Sequence, residues 1–250
     1  MFRKHEMIPS QHMGRAVHVW RYGHFGPPLI AFPSASGMAH EWEAHGMVEA
    51  LSDWLNAGKL KLYTIESNVS AVWTRKEEHP QVRIKRHFPY ERWIMDELVP
   101  FIRTDCQKAD IPIALAGTSL GAMYAANFAL KYPEIFRYAL CMSGRYDATW
   151  MTDGFVNEDI YFNSPISYVP GIEGEYLERI RQNTHLALVC GQGQWEDGNI
   201  EDTQRLASLL KAKGISHQLD LWGHDVSHQW PWWARQARHH LAGYIHATTG

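Results

Sequence analysis

The sequence has no long hydrophobic run, no excess of charge of either sign and very little cysteine. No segment of its 250 residues approaches the roughly 20 consecutive apolar residues of a membrane span. The start, Met1-Phe2-Arg3-Lys4-His5-Glu6, is basic but has no apolar stretch behind it, so an unexported, cytoplasmic protein without a membrane partner is expected. Lys plus Arg number 24 against 27 Asp plus Glu, a net charge of -3, which provides no field to attract nucleic acid. The three cysteines, Cys106, Cys141 and Cys190, are odd in number and far apart, with no C-x-x-C pair to suggest zinc or redox chemistry. They read as reduced, mostly buried thiols. Internal repeats and low-complexity tracts are also missing, and a small-molecule partner is what remains.

What is present is a 45% hydrophobic chain long enough for one sizeable core, read as a single domain over 1–250. Short β-rich apolar runs alternate with longer helical patterns. Residues 16–20, 28–32, 60–65, 111–116, 138–142, 186–190 and 217–222 read as strands, several of them continuously apolar as strands covered on both faces must be. Residues 41–55, 90–102 and 202–213 have helical period. That alternation predicts an α/β fold, a mostly parallel central sheet with helices on both faces. Two stretches, 68–87 and 145–181, fit neither template and are candidate walls of a binding site.

Gly117-Thr118-Ser119-Leu120-Gly121 matches G-x-S-x-G, a pattern short enough to recur by chance. Its context carries the weight: a buried strand pattern precedes it and an apolar helix pattern, Ala122 to Leu130, follows. A serine on that tight turn has its hydroxyl lifted off the sheet edge, beside backbone N–H groups at a helix N-terminus that can hold a developing oxyanion.

On such a sheet the partners of a nucleophilic serine follow it in the order acid, then histidine. The loop after the last strand offers His224 and His228, which spacing alone does not separate. Their separation by four residues resembles a helical metal pair, but the preceding Gly223 and the lack of an H-E-x-x-H glutamate argue against metal. The loop after Cys190 offers Glu196 and Asp197 as acids. No cofactor is called for. Eleven tryptophans make aromatic walls plausible, drawn from Trp73, Trp150, Phe155, Tyr161, Phe162, Trp195 and Trp230, with Trp195 and Trp230 named as substrate-binding.

Five features together resemble the esterase family of α/β-hydrolases that includes S-formylglutathione hydrolases, feruloyl esterase domains and mycobacterial mycolyltransferases. They are Phe32-Pro33-Ser34-Ala35-Ser36-Gly37 with Glu41-Trp42-Glu43; Tyr90-Glu91-Arg92-Trp93 leading to Glu97-Leu98-Val99-Pro100; the elbow at Ser119; Cys190-Gly191-Gln192-Gly193 before Glu196; and His228-Gln229-Trp230-Pro231-Trp232-Trp233. The resemblance implies an α/β-hydrolase fold and a serine carboxylic-ester hydrolase acting through an acyl-enzyme on a small-molecule ester. The family's H-x-W-P-x-W setting selects His228, and its usual acid in the mycolyltransferase branch favours Glu196, with Asp197 as the alternative because the interval after Gly193 varies among relatives. The second oxyanion donor, beside the N–H of Leu120, would come from the loop after Phe32, named as Ala35. An acyltransferase using the same intermediate, and a non-catalytic binding member of the fold, are the competing expectations.

Overall fold

The computed structural model describes residues 1–249. Eight strands form one sheet: β1 (Arg3–Ser10), β2 (Arg15–Tyr22), β3 (Pro28–Phe32), β4 (Lys61–Ile65), β5 (Ile113–Thr118), β6 (Phe136–Met142), β7 (His185–Cys190) and β8 (His217–Leu221). Their order across the sheet is β1-β2-β4-β3-β5-β6-β7-β8. β2 pairs antiparallel with β1 and β4, and every later pairing is parallel. The expected mostly parallel sheet is therefore found.

β3, β4 and β5 are buried along their whole length, and their side chains alternate between two cores as strand geometry requires. Ile30, Phe32, Tyr63, Leu115 and Leu188 face one core, filled by the helix Leu120–Lys131 and by Leu206 and Leu210 of the helix Asn199–Ala212. Leu29, Ala31, Leu62, Ala116 and Val189 face the other, closed by Trp42, Leu51 and Leu55 and by Trp233, Ala237 and Leu241 of the helix Trp230–Thr249. Among the described residues no helix is long and apolar enough to cross a membrane.

Four local features depart from expectation. β1 has no signal in the apolar pattern because it is an edge strand whose side chains are mostly exposed. The helix expected over 41–55 is three short pieces, Glu41–Ala44, Met47–Ala50 and Ser52–Asn56, broken at Gly46, whose φ is 79°, and again at Leu51. The segment 90–102 passes through a π-helical turn, Trp93–Leu98, just ahead of Pro100, whose ring crowds the carbonyl four residues back and which cannot donate. Within the stretch read as irregular, 145–181, the structure has short helices and the helix Gly174–Asn183.

Candidate active site

Ser119 sits between β5 and the helix Leu120–Lys131 with φ 55° and ψ −123°. A non-glycine residue in such a conformation costs of order 1–3 kcal/mol and persists only where its surroundings over-determine it. Here they do. A Cβ on Gly117 would lie 2.1 Å from the Gly121 carbonyl oxygen, and one on Gly121 would lie 2.3 Å from the Pro33 carbonyl oxygen. The chain can turn this sharply only with glycine at both places, and the Ser119 N–H is tied to the Met142 carbonyl of β6 at 2.9 Å.

Two further strand-end loops meet the serine hydroxyl. His228 Nε2 lies 3.1 Å from Ser119 Oγ, and His228 Nδ1 lies 3.1 Å from Glu196 Oε2. Glu196 is completely buried. A buried carboxylate requires donors, and it has them: Ser143 Oγ donates to Oε1 at 2.6 Å, and Asn199 Nδ2 donates to Oε2 at 2.9 Å, with the Cys190 thiol at 3.5 Å. Trp233 Nε1 donates to Ser143 Oγ at 3.0 Å, and the His228 ring stands edge-on to Trp233 with centroids 4.8 Å apart. The rival side chains point elsewhere. Asp197 is exposed, and His224 is exposed with its Nδ1 3.4 Å from the Gln192 carbonyl.

The loop after β3 is also held in place. The Ser34 N–H and hydroxyl donate to the two oxygens of Glu41 at 2.7 and 3.1 Å, and the Ser67 hydroxyl donates to the Ala35 carbonyl at 2.7 Å. Burial pushes the Glu41 carboxyl above the usual carboxylate range, against the two Ser34 donors. Ala35 itself has φ 36°, another strained position beside the serine. The N–H groups of Ala35 and Leu120 have no acceptor among the described residues.

The sequence matches the profile of the Esterase family, described as "Putative esterase", over residues 29–243. The chain belongs to the Esterase family. No curated protein matches it by sequence. Among solved structures it is similar to a ferulic acid esterase, with a TM-score of 0.75 and 14% identity over 98% of this chain and 97% of that one. It is also similar to an S-formylglutathione hydrolase from Staphylococcus aureus, with a TM-score of 0.71 and 13% identity over 98% and 97% of the two chains. MPT51 of Mycobacterium tuberculosis has a TM-score of 0.70 and 15% identity over 99% of both chains. These likenesses establish the α/β-hydrolase fold, and the family establishes ester hydrolysis as the chemistry.

The esterase has a cleft of about 700 Å³ at Ser119, lined by Ser34, Ala35, Ala44, His45, His228, Gln229, Trp230, Pro231 and Trp233. His45 lies flat on Trp230, with centroids 4.5 Å apart and planes 3° apart. Trp195, expected beside Trp230, is 61% exposed and does not line this cleft; at φ 66° it turns its carbonyl toward the Asn199 amide, 3.3 Å away. Most other aromatic candidates also lie outside it. Trp73 is core, donating to the Tyr124 hydroxyl, because the segment 68–87 folds back over the helix Leu120–Lys131. Tyr161 and Phe162 line a separate cavity of about 470 Å³, Trp150 lies under Arg145, and Phe155 packs on His79.

Ser143, Asn199 and His45 were not foreseen. Ser143-Gly144 directly follows a buried strand, the one local signal available; nothing in sequence spacing ties His45 to Trp230.

Proposed function

We propose that this esterase hydrolyses a small-molecule carboxylic ester through an acyl-enzyme, with Ser119 as nucleophile, His228 as general base and acid, and Glu196 as the acid that orients it. The supporting observation is His228 bridging the Ser119 hydroxyl and a fully buried Glu196, at 3.1 Å on each side. Ser119 Oγ attacks the ester carbonyl while its proton passes to His228 Nε2. Nδ1–H stays on Glu196, which stabilises the imidazolium without taking its proton. The tetrahedral oxyanion is held by the N–H groups of Leu120 and Ala35. As the intermediate collapses, Nε2–H protonates the departing alcohol. A water, deprotonated by the same nitrogen, then attacks the acyl-serine, and as the acid is released Nε2–H returns the proton to Ser119 Oγ.

Asn199 acts beside this relay. Its amide hydrogens face Glu196 Oε2 and the Trp195 carbonyl, which keeps Nδ1 of His228, 3.1 Å away, for the carboxylate. Trp230 and His45 form the aromatic wall against which the substrate lies. The three thiols are unpaired, which is in keeping with a reducing, cytoplasmic setting.

Replacing Ser119 by Ala tests the reading. Turnover of p-nitrophenyl butyrate should fall at least about a thousandfold with the fold unchanged, and a fluorophosphonate should no longer label the protein. Undiminished turnover would overturn it. Transfer to an alcohol instead of water would use the same intermediate, and product analysis with added alcohol separates the two.

A further inference from the structure

We infer that Asp220, His239 and His240 form a site for a divalent transition-metal ion of the zinc class, distinct from the catalytic groups. Asp220 lies near the end of β8, the outermost strand of the sheet, and the two histidines are consecutive on the helix Trp230–Thr249. One ligand atom from each of the three side chains lies within 4.8 Å of the other two. His240 Nε2 is already 3.0 Å from Asp220 Oδ2, and the rings of His239 and His240 stand nearly perpendicular with centroids 5.0 Å apart.

Two imidazole nitrogens and one carboxylate oxygen suit zinc, cobalt or nickel, not magnesium or calcium, which prefer all-oxygen shells. Ligand atoms bound at ~2.0–2.1 Å in a tetrahedral shell lie about 3.3 Å apart; Asp220 and His240 already meet that spacing, so His239 must move in by up to about 1.5 Å. The exposed His239 side chain is free to supply that movement, while His240 is buried and fixed. The outer groups resemble those of a metal site: Trp222 Nε1 donates to Asp220 Oδ2 at 2.9 Å and steadies the carboxylate, and the Trp222 ring stands edge-on to His239. A hydrogen bond holding the helix to the sheet needs Asp220 and His240 alone. The convergence of His239 on the same point is what a metal ion explains.

The site's place in the fold gives it a consequence. β8 runs directly into the loop that carries His228, and the helix with both histidines begins at Trp230, just after that loop. An ion bridging Asp220 to His239 and His240 would join the two flanks of the loop, raising stability while contributing no step to the chemistry at Ser119.

The experiment uses untagged protein stripped with a chelator, titrated with zinc chloride by calorimetry and by thermal unfolding, with cobalt absorption as a third readout. One equivalent of zinc should bind, Tm should rise with zinc concentration as linkage requires, and cobalt should give the visible bands of a low-coordinate site. Asp220→Asn and His239→Ala, both at partly or fully exposed positions, should each weaken binding at least tenfold, and His224→Ala should leave it unchanged. Absence of stoichiometric binding, or undiminished affinity in both site variants, overturns the inference.

Discussion

The Ser143 hydroxyl donates to Glu196 Oε1 at 2.6 Å while accepting the Trp233 indole N–H at 3.0 Å, so the carboxylate facing His228 is fixed from its far side by a residue of a third strand end. Replacing Ser143 by Ala removes a hydrogen bond to a charged group, worth about 1.5–3 kcal/mol, and leaves the buried indole N–H unpaired. The kcat of Ser143→Ala should fall about tenfold or more with KM little changed, and its urea midpoint should drop; steady-state kinetics and a denaturation curve check both.

The neighbouring carboxylates Glu196 and Asp197 should behave as opposites. Glu196→Gln keeps the shape but cannot stabilise the imidazolium, and a loss of about 10³–10⁴ in kcat is expected. Asp197 is exposed, and Asp197→Asn should stay within about twofold of wild type, as surface changes generally do. Equal kinetic losses in the two variants would refute the assignment of the acid.

Glu41 holds the loop after β3, which the proposed mechanism uses as its second oxyanion donor. Without it the Ser34 N–H and hydroxyl lose their acceptors, and the strained Ala35 next to Ser34 is held by the Ser67 hydroxyl alone. Losing one oxyanion donor outright costs about 10²–10³ in kcat, so a displaced donor in Glu41→Ala should cost about tenfold, with KM near wild type. Slower labelling of Ser119 by a fluorophosphonate would report the same defect independently.

Acid should destabilise the fold through His87. Both ring nitrogens are buried without hydrogen-bond partners, and burial pushes the imidazole down to about 4, with Lys131 adding to the shift and Glu91 opposing it. The unfolded chain takes up this proton near pH 6.5 and the folded protein only near 4. The stability is therefore complete above about pH 6.5 and is lost as pH falls through 4, about 3 kcal/mol in all. Glu91, held low by His87 and Lys131 against its own burial, adds loss in the same direction. Urea unfolding at pH 7 and pH 4.5 should show the drop, and His87→Leu should shrink it.

The central strands are legible in the sequence because both of their faces are covered, which forces continuous apolar runs such as those over 28–32 and 186–190. The edge strand β1 is not, since an edge open to water places no demand on Arg3, Lys4, His5 and Glu6. Ser119 is legible because its turn is local: the collisions that require glycine at 117 and 121 involve a few neighbouring residues and leave a readable pattern. The order of the loops behind β7 and β8 is equally a property of the chain.

Which members of those loops meet is another matter. Glu196 and Asp197 are adjacent and chemically alike, and only the direction in which the loop turns sends one under His228 and the other into solvent. Trp195 is a plausible wall by composition, yet its positive φ carries it to the surface. Ser143, Asn199 and His45 come from three separate connections that the strand order β3-β5-β6-β7-β8 brings to one end of the sheet. The sequence by itself determined the central strand pattern, the tight turn at Ser119 and the order of the loops behind it, because these follow from local sterics and from burial repeated along the chain. The donors around Glu196, and the pairing of His45 with Trp230 in the cleft wall, were decided by tertiary structure alone, because they depend on distances between residues that no local rule connects.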